Sequence, residues 1–125
     1  LDPLGRKQTA NYGILPSGTA VMEMAAAAGL PLLSESERNP LYTTTFGVGE
    51  MIADAIAKDC RKFIIGIGGS ATNDGGVGCL QALGFSFQNA DGTEIPRGAI
   101  GFHNCKNHCQ KRTAGINSLH ISSGM

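Results

Sequence analysis

The sequence is poor in charge: 16% of its 125 residues are charged, and ten Lys and Arg against ten Asp and Glu leave a formal net charge of zero. Without a basic excess there is no electrostatic footprint for nucleic acid or for an anionic membrane surface. There is no run of about 20 apolar residues, the length a membrane-crossing helix needs. There is also no signal-peptide pattern, so the cytoplasm is the expected location. No Gly-Lys-Ser/Thr stands four residues after a glycine, which excludes a Walker A loop. The four cysteines, at 60, 79, 105 and 109, do not read as a secreted disulfide framework, because the first two fall at a helix end and inside a helix. They are expected as reduced, partly buried thiols. What remains, 42% hydrophobic residues with a mean hydropathy near zero, fits one small domain able to form a core.

The stretch that organises the chain runs from Lys62 to Gly84. Phe63 to Ile67 is nearly all apolar without alternation, the pattern of a strand covered on both faces in a parallel sheet. It leads into Gly68-Gly69-Ser70-Ala71-Thr72-Asn73-Asp74-Gly75-Gly76, a loop of hydroxyls, an amide, a carboxylate and free backbone N–H groups. Ligands in open α/β sheets sit at such strand ends, and glycines let the main chain curve around an anion. A phosphate is the expected guest. A helix over roughly Gly76 to Leu83 would add its N-terminal partial charge, with Asn73 or Asp74 as cap and Gly84 as stop. Asp74 has two readings here: a helix cap only, or a metal ligand or proton acceptor in phosphoryl transfer. The segment Gly66-Ile-Gly68-Gly-Ser-Ala71 also fits the dinucleotide pattern G-x-G-x-x-[GA], with Asp91 placed 20 residues after Ala71. That reading requires the helix to continue through Thr72 to Gly76, where two adjacent glycines are poor helix formers at about 1 kcal/mol each.

Upstream, Asn11 to Leu15 and Thr19 to Met22 read as short strands around the Pro16-Ser-Gly18 turn, and Met24 to Ala28 as a helix ending at Gly29. Glu23, at the strand end, is either a ligand contact or a favourable charge at a helix start. Leu30 to Pro40 reads as loop. Val48, Met51, Ile52, Ala55 and Ile56 form one apolar helical stripe, with Glu50, Asp54 and Lys58 on the wet side. Before it, Thr43-Thr44-Thr45 and Gly47-Val-Gly49 suit either a ligand contact at a helix N-terminus or ordinary strand and cap chemistry. Asn89-Ala-Asp-Gly92 marks a hairpin between Phe85 to Phe87 and Thr93 to Ile95.

The motif Gly66-Ile-Gly-Gly-Ser-Ala-Thr-Asn-Asp-Gly-Gly76 with Gln81-Ala-Leu-Gly84 resembles the signature of the bacterial class I glycerate kinases. Pro3-Leu-Gly5, Tyr12-Gly-Ile-Leu-Pro16, Gly18 to Ala26, Asn39-Pro-Leu41 and Thr43 to Glu50 follow the same order and spacing, so the resemblance covers about residues 3 to 98. It implies an α/β fold with a mostly parallel sheet and a Rossmann-like strand, glycine-rich loop and helix, as a fragment of a larger two-domain kinase. It further implies ATP- and Mg²⁺-dependent phosphorylation of a hydroxyl of D-glycerate, by a protein about three times this length. On this basis Asp74 is expected as catalytic residue and Mg²⁺ ligand, Gly68, Gly69, Ser70, Asn73 and Gly75 as phosphate or nucleotide contacts, and Thr44, Thr45 and Glu50 as substrate contacts. The competing readings are an inert or merely ligand-binding fragment, and a dinucleotide-binding oxidoreductase domain.

After about residue 98 the character changes. All three histidines and two of the four cysteines lie beyond that point, and no acidic residue follows Glu94. Residues 1–98 are therefore expected as the kinase-like region, and 99–125 as an unrelated or frame-shifted tail without regular structure. His103, Cys105, His108 and Cys109 are zinc-type ligands, but they lack the spacer of zinc fingers.

Overall fold

A computed structural model describes the backbone of residues 1–111 and the side chains of residues 1–102. The order of main elements is β1 (Gly13–Ile14), β2 (Thr19–Glu23), α1 (Ala25–Ala28), α2 (Phe46–Ala57), β3 (Lys62–Gly66), α3 (Val77–Ala82), β4 (Phe85–Asn89) and β5 (Cys105–Lys111). Short 3-10 turns occupy Leu30–Leu32, Glu35–Glu37 and Ala99–Asn104.

β2 and β3 run parallel in register, with Ala20 opposite Phe63 and Met22 opposite Ile65, and β1 is added antiparallel on the far side of β2. The α/β reading holds, and within this sheet the β2–β3 pair is the parallel one. Alternate residues of both strands face inward, where Ala20 and Met22 meet Val48, Met51, Ile52 and Ala55 of α2, all of them buried. Burying each of the larger side chains contributes about 1.5–3 kcal/mol before chain entropy is set against it. The helical stripe is thus the one the spacing predicts, and Asp54 and Lys58 pair at 2.6 Å on its wet side.

Three local expectations change. β3 is covered on one face, not two: Ile64 stands 56% exposed, and Ile67, just past the end of the strand, 75%. Side chains alternate along the strand, so Phe63 and Ile65 turn to the core while Ile64 turns to the opposite face, which no element among the described residues covers. Thr43 to Thr45 form no strand but a buried irregular segment, held by the Thr44 N–H donating to the Pro3 carbonyl at 2.9 Å. The chain after Gly98 carries the Ala99–Asn104 turn and β5, which pairs antiparallel with β4 through a register shift at Gln88 and Asn89. An exposed strand edge such as that of β4 offers a row of unpaired backbone groups to whatever segment follows. The rest of the tail, and the side chains of His103, Cys105, His108 and Cys109, lie outside the described residues.

The expected hairpin is present: the Asn89 N–H donates to the Thr93 carbonyl at 2.8 Å, and Gly92 has φ +83°. No helix among the described residues is long and apolar enough to cross a membrane.

Candidate functional site

The carboxyl ends of the two parallel strands lie side by side, with Glu23 of β2 opposite Gly66 of β3. From there the loop 67–76 is fastened along its length. The Leu30 N–H donates to the Gly69 carbonyl at 2.9 Å, and the Ala71 N–H to the Ala28 carbonyl at 2.8 Å. Thr43 Oγ1 donates to the Ala71 carbonyl at 2.7 Å, and Ser70 Oγ accepts from the Thr72 N–H at 3.2 Å. These bonds tie the loop to α1, to the Leu30 turn and to the Thr43 segment.

Asp74 sits at the far end of the loop and is 1% exposed. Its carboxylate accepts from the Thr45 N–H at 2.8 Å, Thr45 Oγ1 at 3.0 Å, Thr44 Oγ1 at 3.2 Å, the Gly76 N–H at 3.1 Å and the Gly78 N–H at 3.2 Å. A carboxylate offers about four lone-pair positions, and five donors occupy them. As arranged here Asp74 does not fit a metal ligand or a proton acceptor facing substrate; it caps α3 and ties that helix to the Thr44–Thr45 segment. The same bonds remove the helix terminus as an anion site. The Val77 N–H donates to the Asp74 carbonyl at 3.0 Å and the Cys79 N–H to Thr45 Oγ1 at 3.0 Å, so the first donors of α3 are spent internally.

Thr44 and Thr45, expected to touch substrate, are 1% and 3% exposed and spend their hydroxyls on this cluster. Glu50 is exposed on α2 and pairs with the ammonium group of Leu1. The open surface is instead the loop itself. Gly68, Gly69, Asn73 and Gly75 are exposed, Ser70 is partly so, and the backbone N–H groups of those four exposed residues have no acceptor among the described residues. A methyl group added at Gly68 would meet nothing within 4 Å, while Gly69 and Gly75 take φ +70° and +58°, the left-handed turns that bend successive N–H groups into a concavity. Those residues fit an anionic oxygen group. The carboxylate open to solvent at this edge is Glu23, whose Cγ lies 3.9 Å from where a Gly66 Cβ would stand.

Sequence reasoning missed Gly78. A Cβ on Gly78 would lie 2.1 Å from Thr44 Oγ1 and 2.7 Å from Asp74 Oδ2, so the helix approaches the cluster without room for a side chain. A glycine inside a helical pattern was the available signal. It also missed Arg97, whose guanidinium lies 3.6 Å from the centroid of the Phe46 ring. Cys79, beside the cluster, has its thiol pushed up to about 11 by burial and then by the Asp74 charge. The dinucleotide reading finds no support: residues 67–76 are loop where it needs helix, and Asp91 accepts from Thr93 Oγ1 at 2.6 Å within the hairpin turn.

Comparison with known proteins gives a consistent result. The model of the glycerate kinase family matches residues 1–121. The glycerate 2-kinase of Escherichia coli K12 is 53% identical over 94 residues, which cover 74% of this chain and 25% of that protein. The glycerate kinase of Bacillus subtilis 168 is 53% identical over 97 residues, covering 77% and 25%. A crystal structure from Salmonella typhimurium LT2, described as a glycerate kinase 2, superposes with a TM-score of 0.84 at 42% identity, over 94% of this chain and 31% of that one. The chain spans about a quarter of the length of the curated relatives it matches.

Proposed function

Because the chain belongs to the glycerate kinase family, we propose that it is part of a cytoplasmic enzyme that transfers a phosphoryl group from ATP to a hydroxyl of D-glycerate. The observation that carries the reading is the exposed glycine loop at the carboxyl ends of β2 and β3, whose N–H groups, without an acceptor among the described residues, suit phosphate oxygens. Gly68, Gly69 and Gly75 supply backbone donors and close approach, and Ser70 and Asn73 supply polar side chains at the same edge. Bound there, ATP would supply the phosphoryl group; the chain's own part is to hold and orient the phosphates. Thr44, Thr45 and Asp74 act one layer below, holding the loop and α3 in register, and Glu50 stands apart on α2. Mg²⁺ has no ligand in Asp74 as it is bonded here.

The test is a graft. The matched quarter of the Bacillus subtilis glycerate kinase is replaced by this chain, and glycerate-dependent ADP release is measured. The graft is expected to turn over, and Gly68→Val, which points into open space and leaves the fold intact, is expected to raise the KM for ATP at least tenfold. Turnover without D-glycerate, or an unchanged KM in the variant, would contradict the reading.

A further inference from the structure

Most carboxylates among the described residues are already held. Arg6 binds Asp2 and Glu37, Lys58 binds Asp54 at 2.6 Å, and Asp74 is enclosed by its five donors. Glu23 is different: it is exposed at the last position of β2, and its carboxylate makes no hydrogen bond or ion pair among the described residues. Alternation along β2 turns Ala20 and Met22 to the core and Val21 and Glu23 to the outer face. There Glu23 stands opposite Gly66 in register. The Met24 N–H donates to the Gly66 carbonyl at 2.8 Å, which fastens the backbone after the glutamate to the strand that feeds the glycine loop.

The space beside this carboxylate is bare. A Cβ on Gly66 would meet only Glu23 Cγ and the Met22 carbonyl, both at 3.9 Å, and one on Gly68 would meet nothing within 4 Å. A Cβ on Gly69 would meet that of Ala25, two residues after Glu23, at 3.5 Å. An unpartnered carboxylate thus borders the concavity whose N–H groups suit phosphate oxygens. Like charges repel, so its place there weakens the binding of phosphate and fits a chemical role instead. A hydroxyl that attacks phosphorus must shed a proton, and a carboxylate placed at the attacking oxygen accepts it. Proton transfer needs one such group, whereas a divalent cation takes several oxygen ligands. No cluster of three or more His, Cys, Asp or Glu able to hold a metal is formed among the described residues.

We propose that Glu23 is the proton acceptor for the substrate hydroxyl, an assignment that rests on the phosphoryl-transfer reading. The hydroxyl oxygen forms its bond to the γ-phosphorus of ATP while the bond from that phosphorus to the β,γ-bridging oxygen breaks. The electron pair of the broken bond leaves on ADP, and the hydroxyl proton passes to the Glu23 carboxylate, which returns it to solvent.

The test compares the graft with its Glu23→Gln and Glu23→Asp forms, and titrates the 125-residue chain and its Glu23→Gln form with ATP in the absence of a divalent cation. Glu23→Gln is expected to lower kcat at least a hundredfold while the KM values for ATP and D-glycerate stay within threefold, and Glu23→Asp to recover at least tenfold of that loss. In the titration Glu23→Gln is expected to bind metal-free ATP at least threefold more tightly, because a negative charge beside the phosphates is gone. The side chain is exposed and unpartnered, so the thermal midpoints are expected to match the parent. An unchanged kcat, an equal affinity for metal-free ATP, a loss that tracks a lowered midpoint, or a loss that excess Mg²⁺ restores, which would mark a metal ligand, would each overturn the assignment. An active graft that Glu23→Gln leaves unchanged sinks this assignment alone; an inactive parent graft sinks the phosphoryl-transfer reading and the assignment with it.

Discussion

Asp74 is held by five donors drawn from two segments that are about thirty positions apart in sequence. Removing its charge leaves those donors facing an amide that has one acceptor oxygen and two hydrogens of its own. Asp74→Asn is therefore expected to destabilise the chain by about 1–3 kcal/mol, the cost of buried donors left unsatisfied. Urea denaturation reads this as a lower midpoint at unchanged slope. An unchanged midpoint would mean that the carboxylate is not the internal clamp described here. Gly78→Ala addresses the same cluster from the helix side. Its methyl group would land 2.1 Å from Thr44 Oγ1, so a loss of about 1–3 kcal/mol from overpacking is expected in the same assay. Stability equal to the parent would show that α3 and the Thr44 segment separate at little cost.

At the scale of elements, α2 and α3 pack almost backbone to backbone, since a Cβ on Gly49 would stand 2.3 Å from the Cys79 carbonyl. Cys79 is half-buried beside this contact, with its thiol pushed up to about 11. The sign for stability follows. Above about pH 8.5 the unfolded chain releases a proton that the folded chain retains, so this contribution is complete below that pH and declines as pH rises toward 11. Cys79→Ala is expected to flatten the fall in unfolding free energy across that window. Alkylation at pH 8 followed by peptide mass spectrometry should likewise leave Cys79 unmodified in the folded chain. Rapid modification would contradict the packing.

The elements themselves were largely legible. The i, i+3, i+4 stripe of α2, the Gly84 stop of α3, where φ is +91°, and the Asn89-Ala-Asp-Gly92 turn are all local codes that the fold obeys. The glycine loop was legible as a loop at a strand end for the same reason. The direction in which Asp74 points was not, because its partners Thr44 and Thr45 come from a segment with no local signal of proximity. The one-sided burial of β3 was not legible either, because an apolar run does not say whether anything packs on both faces of the strand. Thr43 to Thr45 misled in turn: threonine runs favour strands on average, but here their hydroxyls are worth more as donors to a buried carboxylate and carbonyl.

At the scale of the whole molecule, the polar groups divide into a buried set that holds the fold and an exposed set that is free to bind. Asp74, Thr43, Thr44 and Thr45 belong to the first, and the backbone of Gly68, Gly69, Asn73 and Gly75 to the second. That division is the central claim, and titration of the ¹⁵N-labelled chain with ATP, followed by amide resonances, tests it most directly. Saturable shifts are expected at Gly68, Gly69, Ser70, Asn73 and Gly75, with the amides of Thr45, Gly76 and Gly78 nearly still because their hydrogens are held by Asp74. Shifts centred on Thr45, Gly76 and Gly78, or none at the glycine loop, would contradict the account.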